Sequence, residues 1–197
     1  AGDIVRGWHD LVIPPDTPAG MYQLSVRLSE EGQVSESLNL QQIEVSGRPH
    51  VFTPPASQLP LPRKIGDAIA FLGYDPPTGS PRPGQPVPLT LYWQALGPID
   101  RSYTAFIHIL DADGQIVAQQ DSLPGEGAIP TQGWIQDEYI TDRHQIGLPP
   151  DLPSGQYQVA IGMYDPETGV RLPITDANGQ PQGDRILLPQ SIQISPE

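Results

Sequence analysis

Apolar and polar residues alternate along this chain in short runs with a period of two. Tyr157, Val159, Ile161 and Met163 take one face while Gln158, Ala160 and Gly162 take the other, as in a strand with one side on a core. Leu89, Leu91 and Trp93 repeat the pattern within residues 88–95, which predicts that Trp93 is a core residue. Further strands are predicted over residues 68–74, 103–110, 115–120, 139–148, 157–164 and 185–194, and three more over 4–13, 21–28 and 38–45. No stretch carries a helical period of any length. Between the runs lie turn sequences: Asp111-Ala112-Asp113-Gly114 reads as a hairpin, and YDPPTG at 74–79 recurs as YDPETG at 164–169. Short alternating strands separated by turns predict an all-β, antiparallel sandwich.

The chain also repeats itself. Residues 9–23 and 144–158 share eight of fifteen positions, and residues 38–46 (LNLQQIEVS) align with 187–195 (LLPQSIQIS). In both copies a proline-rich turn leads through a glycine, Gly20 or Gly155, to a tyrosine two residues on, Tyr22 or Tyr157. A tyrosine so placed matches the corner of immunoglobulin-like sandwiches, where its hydroxyl bonds back to upstream backbone. Gly155 and Gly20 are expected to supply permissive backbone there. The first copy lacks the front half of the unit. The predicted organisation is therefore the C-terminal half of a first sandwich repeat at 1–48, a proline-rich linker at 49–63, and a complete immunoglobulin-like sandwich at 64–197. Three strands alone cannot bury a face, so residues 1–48 are expected to pack on the complete domain or to self-associate.

Composition narrows the function classes. A net charge of −13 and a pI near 4.4 argue against nucleic acid and anionic membrane surfaces as partners. No run of about 18 apolar residues is present to insert in a bilayer. Without cysteine the chain has no disulfide, thiolate ligand or thiol nucleophile.

The chemistry readable from motifs is sparse. Asp111 and Asp113 with Gly114 form a fragment of a calcium loop, but a plain hairpin explains the same residues. His9, His50, His108 and His144 are too far apart for a local metal pair. His108 falls on the strand face opposite Ile107 and Ile109, and His9 and His144 occupy equivalent repeat positions before the corner. No nucleophile elbow or phosphate loop is present, and no cofactor is expected. The clearest ligand candidates are Trp134 and Tyr139 in a glycine-rich polar loop, with Asp121 and Asp137 nearby. An exposed ring can stack on a sugar face while carboxylates take its hydroxyls. The alternative is a glycan-active enzyme using carboxylates of the acidic loop at 121–142.

The order of the motifs PGQPVPLTLYW, YTAFIHILDADGQIVAQQDSLP, PTQGW and LPPDLPSGQYQVAIGMYDPETGVRLPI resembles β-sandwich modules of bacterial surface proteins. Such modules follow the membrane region of glycosyltransferases of the dolichyl-phosphate-mannose mannosyltransferase type. The resemblance spans residues 65–195 and, as a half unit, 2–46. It implies an extracytoplasmic, cell-surface accessory domain without catalytic residues, serving as a spacer or a carbohydrate-binding module.

Overall fold

The computed structural model describes residues 11–30 and 33–196. The chain divides into two compact units between Pro49 and His50.

The first unit carries a two-stranded antiparallel ribbon of β1 (Gly20–Glu30) and β2 (Gln33–Val45). The strand expected over residues 4–13 falls mostly outside the described residues, and 11–13 is not in a strand.

The second unit is a sandwich of two antiparallel sheets. One sheet has the order β10-β3-β4-β5-β8, built from β3 (Leu59–Ile65), β4 (Ile69–Asp75), β5 (Pro86–Ala95), β8 (Tyr139–Gly147) and the short β10 (Ile174–Thr175). The other has the order β11-β9-β6-β7, built from β6 (Thr104–Leu110), β7 (Ile116–Ser122), β9 (Gly155–Tyr164) and β11 (Ile186–Leu187). A last short strand, β12 (Ile192–Ile194), pairs with the start of β9. Inward residues of both sheets, among them Phe71, Leu91, Trp93, Ile107, Val159 and Ile161, form one buried core.

Two of the expected element bounds need correction. Residues 59–63, read as part of a linker, belong to β3, which pairs with β4 from Leu59 opposite Tyr74 to Ile65 opposite Ile69. Pro60 and Pro62 hid the strand, yet proline is tolerated where the side lacking a donor faces no partner, and β10 reaches only Lys64 and Ile65. The close passage of β3 explains Gly73, where a Cβ would lie 2.5 Å from the Leu59 carbonyl oxygen. The single strand expected over 185–194 is instead β11 and β12, separated by a segment in which Leu188 turns into the core.

The corner forms in both copies. The Tyr157 hydroxyl donates to the Pro153 carbonyl at 2.8 Å, and the Tyr22 hydroxyl donates to the Pro18 carbonyl at 2.8 Å. Neither Gly155 nor Gly20 has positive φ, and a Cβ at either would meet only a tyrosine ring carbon at 3.8 Å. The glycines are thus not required for backbone reasons; the proline turn and the hydroxyl bond fix the corner.

The loop between β7 and β8 closes one open side of the sandwich. It inserts Trp134 into the core, and Asp142 of β8 faces inward at zero exposure. Asp142 Oδ2 accepts from Trp93 Nε1 at 3.1 Å and Oδ1 accepts from the Gly125 amide at 2.8 Å, tying strand, strand and loop through one carboxylate. His144 Nε2 lies 2.9 Å from the same carboxylate, a close contact not aligned as a hydrogen bond. This gives His144 the structural place before the corner that its repeat position suggested; its repeat equivalent His9 lies outside the described residues.

Candidate functional site on the outer face of the second sheet

Strand β6 is buried on both sides, unlike a strand with one wet face. Its outward residues Phe106 and His108 are covered because their neighbours across β9 are small: Phe106 sits opposite Gly162 and His108 opposite Ala160. With no side chain at Gly162, the Phe106 ring lies over β9, and a Cβ there would stand 2.5 Å from its Cζ. The Arg171 guanidinium caps that ring at 4.4 Å from its centroid. Arg171 reaches it because its backbone bridges to Tyr164 at the end of β9.

Polar groups gather around this ring. The β6–β7 hairpin sets Asp121 opposite Phe106, and Asp121 Oδ1 stands 3.5 Å from His108 Nε2. The His108 and Phe106 rings are 4.8 Å apart at 36°. Tyr164 lies 6.4 Å from Phe106 between ring centroids, and its phenol interacts with Asp121 and Thr104. Asp184 lies 3.9 Å from Arg171. Burial pushes the His108 imidazole below its ordinary value; Asp121 opposes the shift, while Arg171 and Arg185 add to it. Burial and the Asp121 charge push the Tyr164 phenol up. Both shifts favour a neutral imidazole and a protonated phenol, which beside the Asp121 and Arg171 side chains make a set able both to donate to and to accept from hydroxyl groups.

The candidate ligand residues do not meet. Trp134 is 2% exposed and its Nε1 donates to the Ile129 carbonyl at 2.8 Å, so it packs the sandwich and offers no ring to a ligand. Its place in a glycine-rich, polar stretch suggested exposure; the loop folds inward because Gly125, at φ 64°, admits Ile129 beside it. Tyr139 starts β8 opposite Gln94, on the outer face of the first sheet, whereas Asp121 is on the outer face of the second. Asp137 is exposed, at φ 66°, and its amide donates to the Ala95 carbonyl at 2.9 Å. Of the four, only Asp121 joins the cluster just described. The residues missed were His108, Tyr164 and Arg171. The register of the Asp111–Gly114 hairpin, which lays Asp121 beside Phe106 and one step from His108, was the signal that could have found the first.

The acidic loop is dispersed as well. Asp142 is sealed in the core, Glu138 is buried with His50 Nδ1 at 3.0 Å, and Asp121 faces outward across the other sheet. Asp111 Oδ1 accepts from the Asp113 amide at 3.0 Å and the Gln115 amide at 2.8 Å, the bonds of a hairpin turn, with Gly114 at φ 75°. Among the described residues no three acidic or imidazole side chains gather in the manner of a metal site. A slot of about 220 Å³ opens at one end of the sandwich over Tyr74, Leu89, Val159, Leu188 and Ile192, and no charged side chain lines it.

Fold and site together define an all-β protein: an antiparallel sandwich that carries a polar cluster over one sheet face. No family model matches the chain. No curated protein matches it either. Among solved structures the C-terminal domain of Wzt is similar, with a TM-score of 0.47 and 18% identity, over 68% of this chain and 77% of that one.

Proposed function

We propose that this chain is a non-catalytic accessory module of an extracytoplasmic surface or membrane protein, and that it binds carbohydrate on the outer face of the β11-β9-β6-β7 sheet. The observation that carries this reading is the convergence of Asp121, His108, Tyr164 and Arg171 around one covered ring. A carboxylate and a guanidinium flanking a phenol and a neutral imidazole supply the hydrogen-bonding groups that sugar hydroxyls need, three of the four side chains standing on strands of one sheet. The resemblance to modules that accompany membrane glycosyltransferases supports a cell-surface setting.

Calorimetry with cell-surface oligosaccharides tests the proposal. Arg171→Ala and Asp121→Ala should each weaken binding by at least ~10-fold, the size of one lost charged hydrogen bond. Should no oligosaccharide bind, the binding role fails and the spacer role stands. That second reading is favoured by the repeated corner, since a module that recurs in tandem extends a chain whatever it binds. Release of reducing ends from any tested glycan would overturn the non-catalytic reading in favour of an enzyme using the 121–142 carboxylates.

A further inference from the structure

The β1–β2 ribbon reproduces the pairing of β9 with β12 residue for residue. Gly20 pairs with Val45 and Tyr22 with Ile43; at the aligned positions Gly155 pairs with Ile194 and Tyr157 with Ile192. The corner bond is present in both at the same length. The next apolar pair, Val26 with Leu38, lies where Ile161 pairs with Ile186, one residue out of step with the sequence alignment of Leu38 and Leu187. In the complete sandwich these side chains are covered: Tyr157 is 7% exposed, Ile161 0% and Ile186 5%. Tyr22 and Val26, the counterparts of Tyr157 and Ile161, are open, at 37% and 45% exposed.

The complete unit shows what covers that face. Strand β9 has β6 hydrogen-bonded along its second edge, and the sheet containing β4, β5 and β8 packs its apolar residues against it. Among the described residues β1 pairs with β2 alone, so both the edge and the facing sheet are missing. We infer that the ribbon is the preformed back half of a second sandwich, and that its apolar face and free edge receive a front half of the β3–β7 pattern from polypeptide outside these 197 residues. A two-stranded ribbon is marginal by itself, and an uncovered apolar face with an open edge is a template for added strands.

Residues 50–136, fused ahead of Gly2 at the repeat boundary, would rebuild that front half in the full chain. Hydrogen exchange of the β1–β2 amides is then compared with the 197-residue chain, and completion should slow it by at least ~100-fold. Unchanged exchange in the fusion would overturn the inference. So would slow exchange in the 197-residue chain if it is a dimer that Leu38→Asp dissociates, because the occupant would then be a second copy. Val26→Asp gives an independent readout: it should leave the thermal midpoint of the 197-residue chain unchanged and lower the ribbon's transition in the fusion. A fusion indifferent to Val26→Asp would also refute the inference.

Discussion

Replacing Asp142 probes the link that holds loop and sheets together. Its carboxylate has no exposure and receives hydrogen bonds from Trp93 Nε1 and the Gly125 amide, with His144 Nε2 at 2.9 Å. Asp142→Ala removes the acceptor from both donors at once, the Trp93 indole buried and the Gly125 amide half-buried. At ~1–3 kcal/mol for each stranded donor, plus a small cavity, the loss should come to ~4 kcal/mol. In a unit of this size that lowers the melting midpoint by roughly 10 °C. Asp142→Asn keeps the shape and one carbonyl oxygen but turns an amide NH2 toward one of the donors, so about half that loss is expected. Urea unfolding followed by tryptophan fluorescence reads the change where it occurs, because Trp93 is itself a partner and Trp134 is anchored on the same loop. If both variants stayed within ~1 kcal/mol of wild type, the carboxylate would not be the sole partner of these donors, and the reasoning from their isolation would fail.

Tyr157→Phe should cost ~1–2 kcal/mol by stranding the Pro153 carbonyl, whereas Tyr22→Phe should leave the unfolding midpoint of the complete sandwich unchanged, as two urea titrations would show. Gly155→Ala should be tolerated within ~0.5 kcal/mol, since its backbone is not left-handed and the new Cβ meets an ordinary contact; a loss above ~2 kcal/mol would contradict this. The Tyr92 phenol, pushed up to about 12 by burial and by its bond to Asp75, stays protonated in the fold above the ordinary value of 10.0. Its contribution is therefore whole below pH 10 and disappears as pH rises toward 12, so Tyr92→Phe should flatten the alkaline limb of a stability-against-pH curve. His108 is shifted the other way: an imidazole held below 6.5 contributes fully above that pH and loses its contribution as pH falls, so His108→Gln should shallow the acid limb.

Local order was legible in the residues themselves. Period-two alternation placed β4 to β9 to within about two residues at most of their ends, because an alternating strand needs only one covered face to be recognised. Trp93 was readable as core from its own strand, and the tyrosine corner from five residues of local chain, since its bond spans only Pro153 to Tyr157. The repeat, too, was visible in sequence, and the structure adds that its pairing register is shared over the three pairs next to the corner. What sequence order could not show was which distant groups face one another. The burial of Trp134 depends on how a sixteen-residue loop, from Leu123 to Glu138, folds over the sandwich edge. Strand β3 escaped notice because two prolines are legible as a linker until the neighbouring strand shows which edge they occupy. The cluster of His108, Asp121, Tyr164 and Arg171 draws on three strands and a loop, and it exists because Gly162 and Ala160 let outward side chains lie flat across β9. Alternation assigns a residue to a face of its own strand, but only sheet order and packing decide whether that face meets water, a loop or the opposite sheet.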